Sequence, residues 1–422
     1  MNDSVRRRSA PNDTSSLQMP TSMRRNCDTR SAWPQRHTNC PSSHGRRTPS
    51  TGIQREKVTM HSGQRNENDT TRRSTGSKLT VLFHGPAVFD EGHAKHVIGL
   101  FPDARFYQAG TMGRTAAYDH HLDEVTSIPD LPGKVIRELD CDYLLIVIRP
   151  KSLHSGKSFV RMILDHARLS IPVMHVDCAN GIYVRWQGEM PRHVTSSLSD
   201  EGYVEGSAIS LAPTIERNGP KVTRHLQSCD IGDYVLCNNI LIGTALDTSV
   251  SITTVDERIV ATSGIDVKEH GLEKLDRVDL VNAKCCSTPM LRGSKVVPRV
   301  TDAVGTGIAF IDHCGADVYS LADACAGAVT VGDDTSRIVG DILYRFSIPV
   351  YAITDGDWDG LLAHERFAAG SVVVEVDHDD NAGKQVHEHI FRGNCRLALS
   401  FKDVRERIDA LLDRNILKCK VY

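Results

Sequence analysis

Leu79-Thr80-Val81-Leu82-Phe83-His84-Gly85-Pro86, at residues 79–86, is a short run of apolar and β-branched side chains closed by a turn signal. A run this short, apolar at nearly every position, reads as a strand covered on both faces. Ala94, Val97, Ile98 and Phe101 follow at i, i+3, i+4 and i+7, the spacing of one helix face, with Asp90 ahead of them as a cap. The alternation then repeats. Residues 105–109 read as a second strand, ending in Gly110-Thr111-Met112-Gly113-Arg114-Thr115. Residues 143–148 read as a third, followed by a helix striped with Val160, Ile163, Leu164 and Ala167, and residues 172–176 as a fourth. Strand alternating with helix predicts a parallel sheet with helices on both faces, a Rossmann-like α/β domain over 78–227.

Downstream the rhythm changes. Residues 233–237, 240–242, 249–254 and 258–262 are short strands joined by tight turns, with no helical spacing between them. They predict a small antiparallel β unit over 228–300. After residue 300 the first rhythm returns. Gly307-Ile308-Ala309-Phe310-Ile311 ends at Asp312, and Ala328-Val329-Thr330-Val331 is broken by Gly332-Asp333-Asp334. Residues 349–353 run into Thr354-Asp355-Gly356-Asp357-Trp358-Asp359-Gly360, a further strand spans 371–376, and Val404, Ile408, Leu411 and Leu412 mark a closing helix. This is a second α/β domain, over 301–422.

Upstream lies a different kind of sequence. Residues 1–77 are Arg, Ser, Thr, Asn and Pro with no apolar period, which predicts a disordered basic tail or upstream sequence outside the folded frame. Residues 1–78 hold 15 Lys and Arg against 6 Asp and Glu, a net +9; with −3 for the whole chain, the remaining 344 residues carry −12. An acidic folded part argues against a broad nucleic-acid surface on it. No stretch approaches the ~20 apolar residues that span a bilayer, and the start of the chain has no apolar block of a secretory signal. The 12 cysteines are irregularly spaced and contain no Cys-x-x-Cys. Together these features predict a cytoplasmic protein with reduced thiols and no membrane partner.

The acids at strand ends carry the chemistry. Side chains two apart at the end of a strand point the same way, so Asp355 and Asp357 are expected to converge. Asp312 and Asp333 or Asp334 end neighbouring strands on the same edge, where parallel sheets bind ligands. Carboxylates held this close either share a proton or take up a cation. Magnesium suits them, because it takes one or two carboxylates and fills its other positions with water and phosphate oxygens. The expected ligand set is Asp312, Asp334, Asp355 and Asp357. It predicts a magnesium-dependent phosphotransfer or phosphoester-cleaving enzyme whose partner is a phosphate-bearing small molecule or a nucleotide.

Two other loops offer anion chemistry. Gly110, Gly113, Arg114 and Thr115 follow a strand and open a helix, so backbone N–H groups there are expected to cradle the phosphate of a cofactor. Ser155-Gly156-Lys157-Ser158 has the end of a P-loop, but Lys151 stands where its first glycine belongs. The calcium-loop pattern Asp355-x-Asp357-x-Asp359-Gly360 meets Arg366, not Glu, at its twelfth position. His120-His121 and His387-x-His389 lack zinc spacing and read as solvated surface. A non-catalytic nucleotide- or cofactor-binding regulatory protein, or a scaffold, remains an alternative to the enzyme.

Two resemblances bear on these readings. The C-terminal order of strand-acid, helix, strand-Gly, helix, strand-Asp-Gly-Asp resembles the Toprim fold of primases and topoisomerases. That resemblance implies magnesium binding for phosphodiester chemistry, with Asp355 and Asp357 as its Asp-x-Asp element and Asp312 in the place of its glutamate. The chain as a whole resembles an archaeal family found mainly in methanogens, domain of unknown function 2117. The resemblance rests on His84-Gly85-Pro86-x-Val88-Phe89-Asp90, residues 109–115 and 232–236, Lys268-Glu269-His270-Gly271-Leu272-Glu273-Lys274-Leu275, residues 330–335 and 340–346, and Ile353-Thr354-Asp355-Gly356-Asp357. It spans about residues 78–420, and it implies a cytoplasmic archaeal protein without assigning an activity.

Overall fold

A computed structural model describes residues 78–128, 130–289, 291–293, 295–302, 304–356 and 365–422. The basic tail and Asp357 lie outside the described residues. The buried runs read from the sequence are strands of a mixed α/β molecule, with four sheets among the described residues. In chain order the first part is β1 (Leu79–His84), α1 (Ala87–Asp90), α2 (His93–Leu100), β2 (Arg105–Ala109), α3 (Thr111–Asp119), β3 (Val125–Ile128), α4 (Pro132–Glu138), β4 (Tyr143–Ile148), α5 (Leu153–Ala167), β5 (Val173–Asp177), β6 (Ile182–Gln187), α6 (Arg192–Asp200) and β7 (Val204–Gly206). Its sheet has the order β3-β2-β1-β4-β5-β6-β7. β1 pairs in parallel with both β2 and β4, so the winding reverses between β1 and β4. Alternation divides the side chains between two cores: Val81, Phe83, Leu145 and Val147 face one side, Leu82, Leu144, Ile146 and Ile148 the other. Asp90 does not cap α2, whose N-cap is Gly92; its carboxylate is instead held by Arg292.

The second part contains β8 (Ile215–Asn218), β9 (Lys221–Leu226), β10 (Tyr234–Cys237), β11 (Ile240–Ala245), β12 (Val250–Val255), β13 (Arg258–Ser263), β14 (Ile265–Val267), α7 (Glu269–Glu273) and β15 (Cys285–Thr288). They form two four-stranded antiparallel sheets, β14-β11-β10-β15 and β13-β12-β9-β8, around a shared core that includes Val235, Ile242 and Ile252. β8 and β9, which the sequence pattern leaves ahead of residue 228, pair into this unit through β9 and β12. They were hidden because Lys221-Val222-Thr223-Arg224-His225 carries only one strongly apolar side chain.

The third part is β16 (Ile308–Asp312), α8 (Val318–Leu321), β17 (Gly327–Val331), α9 (Asp333–Tyr344), β18 (Val350–Thr354), β19 (Val372–Val376), α10 (Asp379–His389), β20 (Arg396–Leu397), α11 (Phe401–Leu412) and β21 (Ile416–Val421). The sheet order is β20-β16-β17-β18-β19-β21, with the four central strands parallel and an antiparallel strand at each edge. The two α/β parts therefore have separate sheets. Ala309, Ile311, Ala328 and Ala352 pack under α8 and α9, while Phe310, Val329, Val331 and Ile353 pack under α10 and α11. Among the described residues no helix is long and apolar enough to cross a membrane.

Candidate metal centre

The pairing of the third sheet decides which acids meet. Asp312 is level with Val331, Val331 with Ile353, and Ile353 with Val374. Asp333 and Asp355 both lie two residues beyond that row, whereas Asp312 lies within it. Gly332, with φ +96°, turns the chain at the end of β17 so that Asp333 becomes the first residue of α9. Asp379 is likewise the first residue of α10, after β19. A carboxylate is favoured at both positions by the positive end of the helix. Asp333, Asp355 and Asp379 each bring a carboxylate oxygen within 4.8 Å of the others, from the ends of three adjacent parallel strands.

This is only partly the expected set. Asp355 is in the group. Asp333 stands there in place of its neighbour Asp334, because the turn at Gly332 fixes which of the two leads the helix. Asp312 is half-exposed and accepts a hydrogen bond from His313 Nδ1 at 2.5 Å, while His313 Nε2 faces Asp380 at 3.6 Å. It therefore stands outside the group, and His313 joins it to Asp380, the residue after Asp379. Asp357 lies outside the described residues.

Sequence reasoning missed three participants. Asp379 carries the same strand-then-acid signal as Asp355, at residues 372–379. The other two come from the β unit and carry no local signal. His270 Nε2 lies 3.6 Å from Asp355, and Lys274 Nζ lies 3.8 Å from Asp379 and 3.9 Å from Asp380. α7 can bring them there because it lies directly on β11: a Cβ at Gly271 would overlap the Leu241 carbonyl oxygen. Burial, with Asp355 and Asp380 alongside, pushes the Asp379 carboxyl above its ordinary value, against the pull of Lys274 and His313. At an effective dielectric of about 20, two carboxylates ~5 Å apart repel by roughly 3 kcal/mol. A divalent cation among them offsets that repulsion by its attraction to each carboxylate.

The loop expected to cradle a phosphate also packs against the third part. Gly110 does turn the chain into α3. However, Thr111 donates to the Ala316 carbonyl, Thr115 Oγ1 lies 2.9 Å from the Tyr319 hydroxyl, and the Arg114 guanidinium sits 4.0 Å from the Tyr319 ring centroid. Gly113 packs on the Gln108 carboxamide. Thr111, Arg114 and Thr115 thus carry a contact between the first and third parts, while Gly110 and Gly113 pack within the first. His84, beside Gly110, donates from Nδ1 to the Ala109 carbonyl, and burial lowers its pKa to about 4. The P-loop-like turn is also filled from within. Ser152 donates to Asp230 at 2.6 Å, Lys151 to Asp233 at 2.5 Å, and the Ser152 hydroxyl caps α5.

Comparison with known proteins gives the chain relatives but no assigned chemistry. A family model described as uncharacterized proteins conserved in archaea, DUF2117, matches residues 81–394. An uncharacterized protein of Methanocaldococcus jannaschii is 27% identical over 357 residues, covering 80% of this chain and 97% of that protein. No solved structure matches.

Proposed function

The chain belongs to the archaeal family DUF2117, and from that footing we propose that the acidic edge of its third sheet holds a magnesium ion and handles a phosphate-bearing ligand. The observation that carries this reading is the meeting of Asp333, Asp355 and Asp379 at oxygens within 4.8 Å of one another. They would be the protein's ligands to the ion, whose remaining positions suit water and phosphate oxygens. When bound, the ion would neutralise charge on a phosphoryl group. Lys274 offers positive charge beside it, and His270 an imidazole 3.6 Å from Asp355, from a separate element. The reaction class is phosphotransfer or phosphoester cleavage, with a nucleotide or another small phosphate ester as substrate.

The finer fold readings belong to the same proposal. A Rossmann-like first part is supported by the reversal of winding between β1 and β4. A Toprim-like third part is supported by Asp355 at the end of its third parallel strand, while Asp312, in the glutamate position, is turned to His313. One observation favours the non-catalytic alternative. Lys274 already supplies counter-charge and His270 reaches Asp355, so the cluster can serve as a latch between the β unit and the third sheet in a regulatory ligand-binding protein.

A thermal-shift panel separates the two. The enzyme reading expects magnesium or manganese to raise Tm, an additional rise with a nucleotide present, and loss of both in Asp355→Asn and Asp379→Asn. A nucleotide response that needs no metal and survives those substitutions would favour the regulatory reading.

A further inference from the structure

We propose that Cys237 and Cys285 are a reversible redox pair that closes into a disulfide between β10 and β15. The two residues lie directly opposite each other in the antiparallel register. Their sulfurs are 3.7 Å apart although 48 residues separate them in the chain. Bond formation needs the sulfurs to close to about 2.05 Å, which side-chain rotation supplies across a pair of facing strand residues. Alternation along β15 turns Cys286 to the opposite face, where it is exposed and out of line with Cys237.

The two thiols have different surroundings, which assigns their order of reaction. Cys285 is half-buried and Cys237 fully buried. The bond it shares with Cys237, with help from the Arg224 guanidinium, holds the Cys285 thiol below its ordinary value; that same bond and burial push Cys237 up. An oxidant reaches the half-buried Cys285 before the fully buried Cys237, so Cys285 attacks as the thiolate and Cys237 resolves. With a hydroperoxide as oxidant, the Cys285 thiolate takes the terminal oxygen, the O–O bond breaks, and water or an alcohol leaves with the proton. Cys237 sulfur then attacks the resulting sulfenic sulfur and expels water. Two thiols lose two electrons and two protons, and the peroxide gains them. A dithiol reductant reverses the bond by exchange.

The position of the pair gives the bond a structural consequence. β15 is an edge strand, and the chain leaving it reaches Arg292, whose guanidinium binds Asp90 and Asp119 of the first part. The disulfide ties the first residue of that edge strand to the end of β10.

The test uses the full chain, reduced and then treated with one equivalent of hydrogen peroxide. Peptide mapping without reduction is expected to find the segments holding Cys237 and Cys285 joined, with two titratable thiols lost per chain and both restored by dithiothreitol. Cys286→Ser is expected to leave the cross-link intact and Cys285→Ser to abolish it. The mapping decides the matter on the unsubstituted chain, so a variant that fails to fold leaves the answer unaffected. Oxidation of Cys286 alone, a bond joining any other pair, or unchanged thiols would each overturn the proposal.

Discussion

At the scale of single residues, Asp119 shows how this fold manages buried charge. Its carboxylate, with no exposed side-chain surface, accepts from Arg292 Nη1 at 2.6 Å, from Arg345 Nε and Nη2 at 2.9 Å each, and from the Arg299 backbone N–H at 3.1 Å. Arg345 in turn reaches Asp341, and Arg292 reaches Asp90. A fully bonded pair of this kind contributes little net stability, but removing one partner strands the other. Arg345→Met is therefore expected to cost about 3–5 kcal/mol in urea unfolding, and an unchanged midpoint would show the network to be incidental. His175 gives a second residue-scale expectation. It is fully buried, accepts from Trp186 Nε1 at 2.8 Å, and burial, aided by Lys157, lowers its pKa to about 3. The unfolded chain binds a proton there below its ordinary value and the folded chain does not. Stability is thus full above pH ~6.5 and falls toward pH 3, by at most ~1.4 kcal/mol per unit. His175→Asn should flatten that part of the curve; parallel curves would rule the assignment out. Neither partner set was legible beforehand: Asp90, Asp119, Arg292 and Arg345 are scattered charges until the chain is folded, and Asp90 read from its neighbours alone looked like a helix cap.

At the scale of elements, the legible parts were those whose own pattern fixes their burial. β1, β4 and β18 are apolar on both faces, so the strand runs announced themselves, and α5 and α11 carry full helix stripes. β9 did not, because its exposed positions are polar and its pairing with β12 is made by distant residues. The same distinction separates Asp355, visible at a strand end, from His270 and Lys274, which α7 brings from another sheet. That delivery depends on the close approach of α7 to β11. Gly271→Ala would force the helix off the Leu241 carbonyl, so we expect a lower Tm and, as Lys274 withdraws from the acids, a smaller nucleotide response with magnesium binding kept, whereas Glu269→Ala on the same helix should leave all three unchanged. Equal effects of the two substitutions would show that α7 matters only for stability.

At the scale of the molecule, three parts with separate sheets are joined by side chains as well as by chain connections. Met112 of α3 lies in the core of the third sheet, Arg114 covers Tyr319, and Ser152 and Lys151 hold the acidic turn of the β unit. The sequence pattern shows each part's class, since periodicity is local. It is silent on docking, which is why the contacts that residues 111–115 make with the third part carry no signal there. The acidic edge differs, because three strand ends gather there through the sheet's own register. The central claim is that this gathering binds a divalent cation. Isothermal titration of magnesium into the full chain tests it most directly. The account predicts saturable binding near one ion per chain, lost in Asp355→Asn and Asp379→Asn and kept in Asp312→Asn. No binding heat, or binding that survives in Asp355→Asn and Asp379→Asn, would contradict it.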